Sequence, residues 1–240
     1  MNDIKRFEYI FFDGMETIID LHELPSMRDY AAWSYFGSGI EDNWEDFDDY
    51  FRYYMLAKQE LAERLPEHAE YEMRQRFIYI IEQSRNDIPF GLMEKAADRL
   101  YENYCRNYYS ESFIQNDVLE TLQQLKKDYR LGIVSNFMVM NGIEDMLEMH
   151  QIKGLFDFVI TSVAEGWKKP HQMIYEKALK VSGTKTDKVV FVGDDYINDY
   201  ITPKKLGMRA VLFDRYNKHP DIQDRVVSFY ELKDMLDKVS

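Results

Sequence analysis

Most of the side chains that could do chemistry in this sequence stand directly after short apolar runs. The runs "EYIFF", "RLGIV" and "KVVFVG" each end on polar residues, and a basic segment, "EGWKKP", lies between the last two. The polar set consists of Asp13, Thr17, Ser135, Asn136, Lys168, Lys169, Asp194, Asp195, Asn198 and Asp199. An aspartate can act as a nucleophile, further carboxylates can hold a divalent cation, and lysine and hydroxyl groups can stabilise an anionic transition state. Any one of these residues alone also fits a helix cap or a turn.

The apolar runs have the pattern of parallel β-strands in an α/β fold. They are almost continuously apolar, as expected for strands that helices cover on both faces, and amphipathic helical segments separate them. Strands are predicted at "EYIFF", "RLGIVSN", "FDFVITS", "KVVFVGD", "RAVLF" and, more weakly, "RVVSF", and helices at 117–127, 141–150, 171–181 and 198–206. This alternation predicts a doubly wound, Rossmann-like α/β core over residues 1–19 and 111–240. Ligands of such sheets bind beyond the carboxyl ends of the strands, where the polar set would meet.

Residues 20–110 have a different pattern, with helix-period aromatic and charged residues and no convincing strand. Helices are predicted at 25–36, 43–64, 68–84 and 91–108, separated by "FGSG", "LPEH" and "NDIPFG". The pattern predicts a helical bundle inserted after the first strand, with hinges near 18–22 and 108–114. Its aromatic residues are interpreted as the core of the bundle.

Composition limits the classes of function. A chain of 240 residues with 45% apolar residues can form a sizeable core. The net charge of -13 argues against nucleic-acid or anionic-membrane binding, so a phosphate ligand would need a local counter-charge. The single cysteine, Cys105, excludes an intramolecular disulfide and fits a reducing compartment. The short apolar run before Asp13 fits neither a signal peptide nor a membrane span, and we expect a cytoplasmic protein.

Four segments, in order along the chain, resemble the motifs of the haloacid dehalogenase superfamily. They are "FFDGMETIID", "GIVSNF", the lysine before the proline of "KKP", and "VGDDYINDY". The helical insert is similar to the α-helical cap of the subfamily that holds the haloacid dehalogenases and many small-molecule phosphatases. The resemblance implies a hydrolase, most simply a phosphohydrolase that acts on a small phosphorylated metabolite through an aspartyl-phosphate intermediate.

The resemblance also assigns the reacting and metal-binding residues. Asp13 matches the nucleophile, and Lys169 matches the lysine that pairs with the nucleophile and the phosphoryl oxygens. Mg²⁺ would be held by Asp13, Asp194, Asp199 and the backbone carbonyl of Met15, since hard oxygen ligands suit this ion. Positive charge is needed because a carboxylate and a phosphate charge 4 Å apart repel by about 4 kcal/mol at an effective dielectric near 20.

Four further residues are expected to contact the substrate. Ser135 and Thr17 would donate hydrogen bonds to the phosphoryl group, and Asn136 lies beside them in the second motif. Arg28, early in the first cap helix, could reach an anionic substrate, although a surface salt bridge is the simpler interpretation. Asp195 is expected to face away from the site or to cap the following helix.

Met15 departs from the family pattern. Phosphatases of the family carry a second aspartate at this position, which protonates the leaving alcohol and then activates water. A thioether holds no transferable proton, so Met15 can do neither. Glu16 follows, but neighbouring residues of an extended segment point to opposite sides. Loss of a general acid or base lowers a rate by roughly 10²- to 10⁴-fold.

Three alternatives stay open on the sequence alone. The L-2-haloacid dehalogenases also lack the second aspartate and need no metal, but they lack the acidic pair of "VGDD". The phosphonoacetaldehyde hydrolases keep the metal and form a Schiff base with a cap lysine, for which Lys58 is a poorly placed candidate. A non-catalytic or very weakly active phosphate- and magnesium-binding protein is the third. The sequence leaves the identity of the substrate and the oligomeric state undetermined.

Overall fold

The main body of the protein is a six-stranded parallel sheet, seen in a computed structural model that describes residues 7–84 and 89–238. In chain order the strands are β1 (Tyr9–Phe12), β2 (Asp20–Leu21), β3 (Ser112–Phe113), β4 (Arg130–Ser135), β5 (Phe158–Thr161), β6 (Val189–Gly193), β7 (Arg209–Phe213) and β8 (Arg225–Val226). The sheet has the order β5-β4-β1-β6-β7-β8, and each neighbouring pair is parallel. The first strand therefore lies in the middle of the sheet, between β4 and β6.

Helices beyond residue 115 cover both faces of this sheet. The helices of the described residues are α1 (Met27–Tyr35), α2 (Phe47–Glu63), α3 (Met73–Ser84), α4 (Phe90–Ser110), α5 (Asn116–Leu125), α6 (Gly142–Met149), α7 (Ser162–Glu165), α8 (Gln172–Ser182), α9 (Thr202–Lys205) and α10 (Phe229–Asp237). Ile10 and Phe12 of β1 share a buried cluster with α5, α6 and α10, whereas Tyr9 and Phe11 share a second cluster with α8. This alternation confirms the predicted doubly wound α/β core.

The helices α1–α4 pack together as a bundle over the carboxyl edge of the sheet. Its interior is aromatic, and Tyr50, Tyr54 and Phe77 are fully buried. The chain enters and leaves the bundle through the short antiparallel ladder of β2 and β3, which lies within the two predicted hinges. We propose that residues 20–110 form the cap domain.

Two predicted cap helices begin later than expected. The helix predicted over 68–84 begins at Met73, because the segment before it hydrogen-bonds to the core instead of to itself. The Glu70 amide donates to the Gly166 carbonyl at 2.9 Å, and the Lys168 amide donates to the His68 carbonyl at 2.9 Å. The helix predicted over 43–64 begins at Phe47, with Asp46 as its N-cap, after a 3₁₀ turn at Glu41–Asn43. The first half of the predicted break at "NDIPFG", residues 86–88, falls outside the described residues.

Two further features bear on the composition argument. Across residues 7–84 and 89–238, no helix combines the length and apolar character that a bilayer crossing would need. Cys105 is a free, partly buried thiol of α4, and burial raises its pKa to about 11. The thiol is therefore protonated at neutral pH, and we assign it no chemical role.

Gly132 of β4 gives a test of how tightly the sheet is packed. A Cβ atom at Gly132 would lie 2.2 Å from the ring of Phe158, its neighbour on β5. The ring of Phe158 is itself held by contacts with Tyr9 and Phe11. We expect Gly132→Ala to lower the free energy of unfolding by about 1–3 kcal/mol, because overpacking forces neighbours off their preferred positions.

Urea unfolding followed by circular dichroism measures this loss. Gly154→Ala is the matched control, since a Cβ atom there would meet no heavy atom within 4 Å. Equal stability of the two variants would contradict the packing described for Gly132.

Candidate active site

The carboxyl ends of three adjacent strands bring the predicted polar residues together. Asp13 follows β1, Ser135 ends β4 and Asp194 follows β6, so these three side chains lie at the same edge of the sheet. Lys169 reaches this edge from the loop after α7. The arrangement places the site below the helical cap.

Lys169 links two of the carboxylates. Its ammonium nitrogen lies 2.8 Å from Oδ1 of Asp13 and 2.7 Å from Oδ1 of Asp199. The side chains of Lys169 and Asp199 are 1% and 0% exposed, whereas that of Asp13 is 13% exposed. Asp13 is thus the member of the trio that a ligand could approach, as a nucleophile requires.

Asp194 completes a cluster of three carboxylates. One oxygen each of Asp13, Asp194 and Asp199 lies within 4.8 Å of the others. The Thr17 hydroxyl donates to Oδ1 of Asp194 at 3.1 Å. A set of hard oxygen donors at this spacing can hold a divalent cation. Thr17 was expected to bind the phosphoryl group, but in this structure its hydroxyl proton is directed to a carboxylate.

The segment after β6 is shaped to place Asp199. Residues Tyr196–Ile201 form a π-helical turn, and the Asp195 side chain caps its start by accepting from the amides of Ile197 and Asn198. The predicted capping role of Asp195 is therefore confirmed. Asp199 packs directly against Gly193, where a Cβ atom would lie 2.4 Å from its carboxyl carbon. A residue with a side chain at 193 would displace Asp199.

The site carries excess negative charge. Burial raises the pKa of Asp194 to about 7, and the neighbouring charge of Asp13 adds to this shift. Burial also raises the pKa of Asp199 well above its usual range, against the opposing effect of Lys169. For Lys169, burial alone would lower the pKa, but the charges of Asp13 and Asp199 outweigh it and raise the pKa. Three carboxylates thus lie near one ammonium group, and a bound cation would reduce this excess of negative charge.

The second motif contributes one hydrogen-bond donor and one positioning residue. The Ser135 hydroxyl is buried and has no hydrogen-bond partner among the described residues, as expected of a group that meets its partner on a ligand. The Asn136 side chain instead pairs with the backbone of Lys169, accepting from its amide at 2.7 Å and donating to its carbonyl at 3.0 Å. Asn136 was expected to bind substrate, and in this structure it fixes the backbone that carries Lys169.

Comparison with known proteins identifies the family. A family model described as haloacid dehalogenase-like hydrolase matches residues 43–213, which is more than half of the chain. The chain belongs to this family. The predicted resemblance is therefore confirmed, although the matched span begins after Asp13.

Proteins similar to this haloacid dehalogenase-like hydrolase are named as different enzymes, phosphatases and a dehalogenase. Glyceraldehyde 3-phosphate phosphatases of Pyrococcus furiosus and Pyrococcus abyssi are 28% and 30% identical to it. The alignments cover 91% and 87% of this chain and 85% and 82% of those proteins. A 2-haloacid dehalogenase structure from Pseudomonas syringae pv. tomato DC3000 superposes with a TM-score of 0.78 at 17% identity, over 98% of this chain and 100% of that one. The fold is shared, and the chemistry must come from the site.

Met15 and Glu16 both face the space between the core and the cap of this haloacid dehalogenase-like hydrolase. They line one cavity of about 300 Å³, whose walls are mainly aromatic and aliphatic. The prediction that Glu16 points away from Met15 assumed an extended segment, and that assumption was wrong. Glu16 adopts a left-handed backbone conformation with φ of 58°, so the regular alternation of an extended segment does not apply to residues 15–16. Glu16 also lines a second cavity, with Asp194, Arg215 and Lys218, that Met15 does not border.

The cap contributes cations to this cavity, but not the one expected from the sequence. Arg28 forms a salt bridge with Asp48 on the exposed surface, and it is not among the residues that line the cavity. Lys58, which seemed poorly placed from the sequence, lines the cavity wall, with its amine 3.1 Å from the sulfur of Met27. Arg76 of α3 also lines it and is buried. Arg76 was missed because a charge on an amphipathic helix is normally solvated.

Replacement of Lys169 by methionine tests the ion-pair trio. Lys169→Met leaves Asp13 and Asp199 buried without their cation, and we expect the free energy of unfolding to fall by about 3–5 kcal/mol. Urea unfolding at pH 7 in EDTA measures this loss in the metal-free protein. Lys168→Met is the matched control, and a loss of similar size in both variants would contradict the pairing.

Proposed function

We propose that this protein is a Mg²⁺-dependent phosphohydrolase that acts on a small phosphorylated metabolite through an aspartyl-phosphate intermediate. The observation that carries the proposal is the partly exposed Asp13 carboxylate within a cluster of three aspartates and beside a buried lysine. The phosphatase names of the Pyrococcus relatives support the reaction class. The single, partly buried cysteine supports a location in the reducing cytoplasm.

The phosphorylation step can be assigned to residues of this chain. Oδ2 of Asp13 is the candidate attacking atom, because Oδ1 accepts from Lys169 and from the Gly14 amide at 2.7 Å. Attack forms the bond from Asp13 to phosphorus and breaks the bond from phosphorus to the leaving oxygen, which takes its proton from water because Met15 has none to give. Attack of a water molecule on phosphorus then breaks the bond to Asp13 and releases inorganic phosphate. Lys169 and the unpartnered Ser135 hydroxyl then face the charge that develops on the phosphoryl oxygens.

The magnesium ion fits the residues that would hold it. Asp13, Asp194, Asp199 and the Met15 carbonyl would be its protein ligands, with Thr17 holding Asp194 in place. Bound there, the ion would supply the positive charge that an anionic nucleophile needs to approach an anionic phosphate. Asp194, which has no cationic partner within 4.0 Å among the described residues, would have little purpose in a metal-free dehalogenase, and this favours the phosphohydrolase over a carbon–halogen hydrolase.

Retention of the whole cluster also favours an enzyme over a binding protein. Asp13, Ser135, Lys169, Asp194 and Asp199 are all present, and the structure brings the four charged members into mutual contact or within 4.8 Å. A site that had lost its activity would be free to lose more than the single proton donor at position 15.

Replacement of the nucleophile gives the direct test of the proposed function. Phosphate release from a panel of small phosphate monoesters should require Mg²⁺, disappear in EDTA and fall by at least about 10³-fold in Asp13→Asn. Asp187→Asn is the matched control, because Asp187 is exposed near the start of β6, at the opposite edge of the sheet. Undiminished release by Asp13→Asn would exclude Asp13 as the nucleophile.

Met15 predicts unusual kinetics with p-nitrophenyl phosphate. Nitrophenolate leaves without needing a proton, so phosphorylation of Asp13 should proceed while hydrolysis of the aspartyl phosphate lags. Stopped-flow absorbance should show a burst of about one equivalent of nitrophenolate followed by slow turnover. Met15→Asp should raise the steady rate by about 10²-fold or more, because it restores a group that can activate water.

Two further variants complete this experiment. Met149→Asp makes the same chemical change at an exposed position of α6 and should leave the steady rate unaltered. Glu16→Gln asks whether Glu16 already supplies the missing proton transfer. A linear progress curve with fast turnover in the native protein, or no gain in Met15→Asp, would contradict the assignment of Met15 as the defect.

A further inference from the structure

Arg76 is a buried cation in the cap. It lies on α3, is 5% exposed, and its guanidinium contacts two phenol oxygens. The distances are 3.0 Å from Nη1 to the Tyr54 oxygen, and 3.0 Å and 2.5 Å from Nε and Nη2 to the Tyr71 oxygen. Nη2 also lies 3.7 Å from the sulfur of Met138, a residue of the core. Arg76 therefore sits where the cap meets the core.

The charge of Arg76 has no anionic partner within the described part of the chain. No carboxylate oxygen there lies within 4.0 Å of its nitrogens. By contrast, Arg28, Arg52, Arg64 and Arg74 of the cap each pair with a carboxylate. Burial raises the pKa of Tyr54 against the opposing effect of Arg76, so this partner is a neutral phenol at pH 7.

An unpaired buried guanidinium is costly to the folded state. A small amphipathic helix offers many surface positions for an arginine, yet this one is turned inward and oriented by two hydroxyl groups. Such a group becomes favourable when an anion binds beside it, because the anion supplies the missing charge and the phenols can donate their own protons to it. The geometry therefore indicates a site that is completed by a ligand.

The position of Arg76 relative to the candidate catalytic residues limits the kind of ligand that could bind beside it. Arg76 and Lys58 line the same 300 Å³ cavity as Met15 and Asn136, which border the site on the core. A molecule that presents its phosphoryl group to Asp13 would extend into this cavity towards the cap. Its other end would meet the aromatic wall and the guanidinium.

A second groove also reaches Arg76. It shares Lys58, Arg76 and Met138 with the cavity and is also lined by Arg52, Lys168, Glu63 and Glu70, so four cationic side chains stand against two carboxylates. In a protein of net charge -13, this concentration of cations would favour entry of a small polyanion.

We propose that Arg76, oriented by Tyr54 and Tyr71, binds a second anionic group of the substrate, at the end remote from the phosphoryl group that reacts. The preferred substrate would thus be a phosphate monoester that also carries a carboxylate or a second phosphate. This inference rests on the proposed phosphohydrolase function and deepens it by naming the substrate class.

Matched substrate pairs test this assignment. One pair is 3-phosphoglycerate against glycerol 3-phosphate, and the other is 1,3-propanediol bisphosphate against its monophosphate. The native protein should prefer, in at least one pair, the member that carries an anionic group at both ends, and the two pairs distinguish a carboxylate from a second phosphate. Arg76→Gln should lower kcat/KM for this preferred member by about 100-fold or more, mainly through KM. For the member whose far end is uncharged, kcat/KM should change by less than about 3-fold.

Three controls separate recognition from folding. Arg74→Gln removes an arginine two residues away on the same helix, one that pairs with Asp98, and should keep the preference. Tyr71→Phe removes an orienting hydroxyl but keeps the ring, so it should weaken the preference even if Arg76→Gln fails to fold. Lys58→Met should have the smaller effect, and transfer of the whole preference to Lys58 would overturn the assignment.

A binding measurement keeps this inference distinct from the proposed function. Calorimetric titration of 3-phosphoglycerate and the bisphosphate into Asp13→Asn with Mg²⁺ requires no turnover, and Arg76→Gln in that background should weaken binding by about 100-fold. Absence of phosphatase activity with this weakening intact would overturn the function and support the anion site. Equal loss for both members of each pair in Arg76→Gln, or no preference in the native protein, would overturn the anion site and leave the phosphatase standing.

Discussion

The ammonium group of Lys169 holds the site together. Without it, Asp13 and Asp199 would be two like charges brought close together at the edge of the sheet, with Asp199 fully buried. Its backbone is fixed in turn by the Asn136 amide, which accepts from one side of the Lys169 peptide and donates to the other. Because Gly193 has no side chain, the Asp199 carboxylate can pack against the end of β6. Side chains from two distant parts of the chain, Asp13 and Asp199, therefore converge on one nitrogen atom.

The same trio explains why the remaining charge has to come from outside the chain. Lys169 balances only one of the three clustered carboxylates, and burial makes ionisation of Asp194 and Asp199 unfavourable, as their raised pKa values show. A divalent cation would relieve this imbalance. An arrangement that is electrostatically unfavourable alone is thereby suited to a metal and an anionic substrate together.

The helical bundle forms one wall of the cavity beside the candidate site. Its segment before α3 is tied to the core by hydrogen bonds from Glu70 to Gly166 and from Lys168 to His68, and the Met73 amide donates to Met138 at 2.8 Å. These contacts bring the aromatic wall of the bundle over Asp13 and enclose the cavity that Arg76 faces. The apolar walls leave the few charged groups to decide which molecules bind, because a charge in such surroundings is poorly screened.

The core and the candidate catalytic residues were predictable, because both depend on local order along the chain. A nearly continuous apolar run predicts a buried parallel strand, and the residue after it must lie at the carboxyl edge, so Asp13, Ser135 and Asp194 could be placed from the sequence alone. The orientation of the cap side chains was not predictable, because it depends on packing between helices. Helical periodicity does not show which arginine faces inward, so Arg28 was considered and Arg76 was missed. The left-handed turn at Glu16 and the start of α3 at Met73 likewise depend on contacts between segments distant in sequence, which no local pattern records.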